Sequence, residues 1–351
     1  MNSATLPLVH LVGSVPLETT EEVFIHSLKE LAGLINYLPD GETGERDEFV
    51  SWQSQVFPSE ILYSPFMPPE AQPKPDPNFD LHLSHIKSTG YHKAALASYQ
   101  TFLKIRSNGT IPKDIRFQVS LPTPLNPVAC WVDSAHLAKA ESLYETRMLE
   151  SLTAIQQGIP AHDLAIQWDM AVEPAHMEHS YGRSRPDFAI LKPWYSPVDA
   201  GIAASAARLA KEVNQDVKIG FHLCYGDLGH VHYVQPDSIG ILVQLANLVY
   251  KAVSPIHGIS WIHMPVPKDR TDESYLEPLK RLEIGVETDL ILGLVHPNDE
   301  EGTRMRVEKA GSVLRESRRR FGVATECGLG RTEREEVQSI WKICREITKQ
   351  D

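Results

Sequence analysis

Eight times along the chain, a short apolar run rich in β-formers is followed by a stretch of helical periodicity. No other feature of the sequence limits the fold as strongly. The runs are 6–12, 34–38, 115–121, 164–169, 217–222, 258–263, 290–295 and 322–325. Helical patterns fall near 20–32, 92–106, 134–157, 197–213, 237–252, 272–283, 299–319 and 331–348. Thr19-Thr20-Glu21-Glu22 supplies an N-cap and an acidic first turn for the first helix. In the last helix, Thr332 is the expected cap, and Val337, Ile340, Trp341, Cys344 and Ile347 form one apolar stripe that places Cys344 in the core. Eight such alternations predict an α/β fold, a (β/α)8 TIM barrel. The competing architecture, an open doubly wound sheet, would carry a glycine-rich phosphate turn after its first strand. Here that turn reads Val12-Gly13-Ser14-Val15-Pro16, which is no G-x-G-x-x-G.

The whole chain, 1–351, is read as a single barrel domain with one interruption. After the second strand, residues 58–90 carry Pro58, Pro65, Pro68, Pro69, Pro73, Pro75 and Pro77, a density that forbids a long helix or a central strand. This insertion falls on the loop side, where a barrel keeps its active site, and could serve as a lid.

Composition excludes several function classes. Of 351 residues, 42% are hydrophobic and 23% charged, which rules out disorder, collagen and coiled coil. No apolar run is long enough to span a bilayer. Met1-Asn2-Ser3-Ala4-Thr5 lacks the basic start and apolar core of a signal peptide, so a cytoplasmic location is expected. The net charge of −12 argues against nucleic acid, while an insertion at 58–90 that could close over the site favours a small-molecule substrate. Four cysteines are too few for a disulfide scaffold in a chain of this size. Core residues, nucleophiles or metal ligands are the alternatives.

Barrel chemistry sits at the C-terminal ends of the strands. Those ends carry Ser14, Asp40-Gly41-Glu42, Trp131, Asp169, Glu173, His222-Leu223-Cys224, His263, His296 and Glu326-Cys327. In a strand, residues i and i+2 share a face, so His222 and Cys224 could meet one ion. Cys327 follows another buried-looking strand, and His263 offers a fourth donor, which is the tetrahedral N/S set that Zn2+ prefers. His176-x-x-His179 and His230-x-His232 are read as solvated loop histidines, with a part in a metal site or a proton relay as the alternative. The Arg318-Arg319-Arg320 run is read as a solvated helix end.

Taken in order, His10-Leu11-Val12-Gly13-Ser14-Val15-Pro16, Asp40-Gly41-Glu42 with Arg46-Asp47, Gln167-x-Asp169, His222-Leu223-Cys224-Tyr225 and Glu326-Cys327-Gly328-Leu329 with Arg331-Thr332 form a pattern. It resembles the catalytic barrel of cobalamin-independent methionine synthase, in the uroporphyrinogen decarboxylase/methionine synthase-like superfamily. The resemblance implies a zinc-dependent methyltransferase with His222, Cys224 and Cys327 as metal ligands. It implies Ser14, Glu42 and Asp169 beside the amino-acid substrate, and Trp131 facing a pterin.

Three departures shape the expectation. His263 stands where the family has a glutamate ligand, either as fourth ligand or as a close donor behind the metal. The family's Asp-Glu-Pro becomes Asp169-Met170-Ala171-Val172-Glu173-Pro174, which displaces Glu173 within the pocket. The chain is one barrel, where such synthases carry two. We therefore expect a zinc transferase that activates a thiol or related small polar substrate for alkyl transfer, with Glu42, Asp169 and His263 as catalytic groups, and not methionine synthesis itself. The alternatives are a zinc-dependent lyase or hydrolase, a metal-free decarboxylase-like barrel, and a non-catalytic binder.

Overall fold

The computed structural model describes residues 8–47, 50–64, 67–182, 191–226, 232–234 and 236–349. Seven parallel strands pair in chain order: β1 (Tyr37–Pro39), β2 (Arg116–Pro122), β3 (Leu164–Met170), β4 (Lys218–Leu223), β5 (Ile259–Pro265), β6 (Asp289–Val295) and β7 (Phe321–Thr325). Helices alternate with them: α1 (Thr20–Leu31), α2 (Tyr91–Ser107), α3 (Leu125–Trp131), α4 (Leu137–Gly158), α5 (Glu173–Ser180), α6 (Val198–Lys211), α7 (Gly240–Val253), α8 (Glu273–Leu276), α9 (Glu300–Leu314) and α10 (Val337–Ile347). This is the curled parallel sheet of an α/β barrel-like fold.

The first expected strand differs from the rest. Among the described residues it makes bridges and no ladder, Val9 pairing with Val323 and Ser14 with Gly41, both parallel. His10 N donates to Val323 O, and Val15 N to Gly41 O, at 2.9 Å each. Residues 8–15 therefore run between β7 and the chain around β1.

Local chemistry sets the elements. Thr19 caps α1, its hydroxyl accepting from Glu22 N. On α10, Val337, Ile340, Trp341 and Cys344 are buried, as the stripe predicts, although the cap shifts from Thr332 to Glu336 behind a short 3-10 turn. Strands β2 to β7 are buried almost throughout, as expected of strands covered on both faces. Inside the sheet, Trp261 of β5 lies over Gly220 of β4, where an added Cβ would stand 1.9 Å from the indole.

Residues 58–90 form 3-10 turns at Pro69–Ala71 and Leu83–His85, with irregular chain elsewhere among the described residues. The segment is tied to the end of α3. Leu62 bridges Val132, and Tyr63 N donates to Trp131 O at 3.1 Å. Arg319, expected to be solvated, instead donates to the carbonyls of Ile284, Gly285 and Thr288, so it closes a loop end. No described helix is long and apolar enough to cross a membrane.

Candidate metal centre and substrate cavity

His222 and His263 are register partners on β4 and β5, so their side chains leave neighbouring parallel strands at one level. Cys224 follows two residues beyond His222 on the same face. It is anchored by its backbone N donating to Met170 O at 2.9 Å. Cys327 sits just past β7, where Thr325 Oγ1 donates to the Cys327 carbonyl at 2.7 Å. The Cys224 and Cys327 sulfurs are 3.9 Å apart, and Cys327 Sγ is 3.7 Å from His222 Nε2. Among the described residues these three form the one group whose donor atoms all lie within 4.8 Å of one another.

The spacing can be tested against zinc. Tetrahedral Zn2+ with bonds of about 2.3 Å to sulfur and about 2.05 Å to nitrogen separates two sulfurs by about 3.8 Å, and sulfur from nitrogen by about 3.6 Å. The observed separations match both, so the donor set fits the ion that the resemblance implies. Hydrogen bonds with Cys224 and then His222 hold the Cys327 thiol well below its ordinary pKa, against the opposing effect of burial. This favours the thiolate form that a metal ligand needs.

His263 lies outside the close group. Its Nδ1 is 2.6 Å from Nδ1 of His222, and its Nε2 is 3.0 Å from the carbonyl oxygen of Thr325. Both nitrogens are therefore engaged behind the cluster. Burial, with His222 next, holds its pKa well below the usual imidazole value.

A cavity of about 270 Å3 opens in front of the cluster. Ser14, Glu42, Asp169 and Trp131 all line it, which brings together four of the five expected substrate residues. Ser14 Oγ accepts from Gly330 N at 2.9 Å. Glu42 stands in a tight turn at φ 50, a left-handed conformation that non-glycine residues seldom adopt. Gly41 before it has φ 80, and a Cβ there would lie 2.5 Å from Val23. Asp40 braces the turn. It accepts from Glu42 N at 2.9 Å and Ser98 Oγ at 2.7 Å, and pairs with Arg46 at 2.9 Å.

The Glu42 carboxyl is pushed up to about 8, first by burial and then by the charge of Asp40. Asp169 is raised well above the usual carboxylate range by burial and by Glu42. It accepts from Gln167 Nε2 at 2.8 Å, and Gln167 Oε1 in turn faces His10 Nε2 at 2.9 Å and Trp261 Nε1 at 3.2 Å. Trp131 closes α3 and donates to Val50 O at 3.0 Å, which fixes its ring on the cavity wall.

Two expectations need correction. Glu173 does not line the cavity. It opens α5 and accepts from the Thr123 hydroxyl at 2.5 Å, and burial raises its carboxyl to about 7. His176 is no solvated loop residue. It is fully buried on α5 with Nδ1 3.1 Å from Tyr195 Oη, and burial lowers its pKa to about 3. His179 is partly buried, His232 lies 3.2 Å from Glu326, and His230 falls outside the described residues.

Met67, Tyr233 and Arg331 also line the cavity, and Met67 and Tyr233 had no sequence signal as site residues. Arg331 alone was legible in part, through the Arg331-Thr332 pair. A second cavity of about 270 Å3 adjoins the thiols from the other side, walled by His232, His296 and Glu326.

No protein-family profile and no curated protein matches the chain. Solved structures do. One is a B12-independent methionine synthase from Shewanella sp. W3-18-1, in complex with selenomethionine. It is 15% identical over 99% of this chain and 97% of its own, with a TM-score of 0.56. Another is a methyltransferase from Methanosarcina mazei, 13% identical over 98% and 94%, with a TM-score of 0.53. The Shewanella chain is matched at nearly full length, so chain length does not by itself set this chain apart from proteins so described. At these identities the likeness is one of fold, and the fold is the barrel of B12-independent methionine synthases and related methyltransferases.

Proposed function

We propose that the chain is a zinc-dependent transferase that activates a thiol, or a related small polar substrate, for alkyl transfer, with methyl the default group. The observation that carries this reading is the spacing of His222 Nε2, Cys224 Sγ and Cys327 Sγ, which suits tetrahedral zinc and leaves one position for substrate. Zinc bound there would lower the pKa of a substrate thiol and supply it as a thiolate at neutral pH.

The remaining work falls to the protein. Glu42 and Asp169 face the cavity as two buried carboxyls, while Arg46 is already paired with Asp40. Arg331 lines the same cavity and its charge reaches Glu42, so a substrate ammonium would add a second cation beside the two acids, and an amino-bearing thiol suits the cavity. Ser14 holds the first turn against Gly330, and Trp131 offers a flat apolar wall for the alkyl donor. In the transfer, a bond forms between sulfur and the alkyl carbon while the carbon's bond to the donor breaks. The leaving atom keeps the electron pair, and takes a proton where it would otherwise leave as an anion.

We read residues 8–15 as the eighth staves of a closed (β/α)8 barrel forming one domain. The 58–90 segment, which brings Met67 to the cavity wall, serves as its lid. The lyase or hydrolase alternative drew on a histidine as fourth ligand. With both nitrogens of His263 engaged elsewhere, it loses that support.

Metal analysis of protein purified without added zinc should find about one zinc per chain, and a metal-free product would sink the reading. An assay with homocysteine and mono- or triglutamylated methyl-tetrahydrofolate should give no robust turnover. Turnover with either donor would make the chain a plain methionine synthase.

A further inference from the structure

The paired imidazoles behind the cluster have no part in the chemistry above, yet their geometry is specific. His263 Nε2 faces the Thr325 carbonyl at 3.0 Å. A carbonyl only accepts, so this nitrogen carries hydrogen. His263 is 0% exposed, and none of its hydrogen bonds goes to a carboxylate. A second proton would leave a buried, uncompensated cation, which is costly. Its Nδ1 is therefore a bare lone pair. The 2.6 Å contact with His222 Nδ1 then requires hydrogen on the His222 side. That leaves Nε2 of His222 bare and 3.7 Å from the Cys327 sulfur.

We propose that His263 is a positioning residue that locks His222 in its Nδ1–H form, so that Nε2 is presented as the ligating nitrogen before any metal arrives. This deepens the zinc reading and rests on His222, Cys224 and Cys327 as its ligands. A ligating histidine commonly gives its other N–H to a carboxylate or carbonyl. Here the acceptor is a second imidazole, which passes the bond on to a backbone carbonyl. That carbonyl belongs to Thr325, two residues before Cys327, so the orientation of the histidine ligand is tied to the strand end that carries a thiol ligand. Gly293 of β6 makes room for the relay, because a Cβ there would lie 3.1 Å from His263 Nε2 and 2.8 Å from Thr325 O.

The test uses metal-free, histidine-labelled protein and two variants. His263→Gln keeps an acceptor for His222 and a donor for Thr325, whereas His263→Phe fills the space with neither. Nitrogen–proton correlation spectra should show His222 as the Nδ1–H form in the wild type and in His263→Gln. In His263→Phe that form should be lost or mixed. Zinc affinity, measured against a competing chelator, should fall roughly 10–100-fold in His263→Phe and stay near the wild type in His263→Gln. An Nε2–H form of His222 in the wild type would overturn the proposal. Equal losses of affinity in both variants would overturn it too, by making His263 a ligand. Should His263→Phe not fold, the spectra of the other two proteins still decide. Should no protein bind zinc, the metal reading fails while the spectra still report on His263.

Discussion

Replacing Glu42 by glutamine removes a carboxyl whose proton affinity the fold has changed, and leaves its shape nearly intact. Burial and the neighbouring Asp40 push this group from 4.5 up to about 8. Between those values the native protein holds a proton that the unfolded chain has lost. Stability from this group is therefore fully present below pH 4.5 and is lost as pH rises through 8. Each pH unit of that window is worth about 1.4 kcal/mol, so the whole is worth up to about 5 kcal/mol. Glu42 in turn raises Asp169, so part of the effect is carried by that second acid with the same sign. Urea unfolding of wild type and Glu42→Gln, at equal metal loading from pH 5 to 8.5, should show the variant gaining relative stability steadily with pH. The same variant should lose affinity for an amino-bearing thiol, because the acid that would ionise against the ammonium is gone. A stability difference that stays flat across this range would refute the reasoning, since an unperturbed glutamate is already ionised at pH 5.

Two further perturbations address the metal side. The double change Cys224→Ser with Cys327→Ser should abolish zinc binding and leave circular dichroism and most of the unfolding free energy intact, because the core does not run through the metal. Full zinc occupancy in that protein would mean that the ligands are wrongly chosen. Gly293→Ala should weaken zinc binding roughly tenfold or more without touching a ligand, since its methyl would press on Thr325 O at 2.8 Å. Unchanged affinity measured by chelator competition would count against the relay.

Much of this was readable from the residues, and the failures have physical causes. β2 to β7 fall within a residue or two of the expected runs because each is a buried apolar stretch. The first run, 6–12, was read as a strand, but among the described residues 8–15 form only isolated bridges, Val9 and Ser14 pairing with different neighbours. Helices α3 and α5 were missed. They are seven and eight residues long and contain Pro127 and Pro174, so they show no periodicity. His222 and Cys224 were legible because strand period puts them on one face. The contact between His222 and His263 was not, because it depends on the register of β4 against β5, and a hydrophobic pattern cannot set that register between two buried strands. Glu173 was misjudged for a related reason. A helix start in place of a loop turned its carboxyl toward Thr123.

Charge at the cluster bears on which alkyl donor the proposed enzyme can use. Two thiolates and a neutral imidazole cancel the charge of Zn2+, whereas the resembled family adds a glutamate ligand and carries one more negative charge. A substrate thiol bound at the neutral centre is therefore more acidic, and its thiolate sulfur is a weaker nucleophile. A weaker nucleophile needs a better leaving group to reach the same barrier. Methyl-tetrahydrofolate leaves as a poor amide-like nitrogen base, while a sulfonium or quaternary ammonium donor leaves as a neutral molecule. The walls agree with this choice, since Trp131 lines the cavity and aromatic rings attract onium cations. Zinc-loaded protein given one aminothiol acceptor should thus alkylate it at least about tenfold faster from a sulfonium than from methyl-tetrahydrofolate, a difference of about 1.4 kcal/mol in barrier. His263→Glu should narrow the gap if the new carboxylate returns the missing charge. A folate donor that outruns the sulfonium in the unaltered protein would show that the charge at the cluster does not govern the donor.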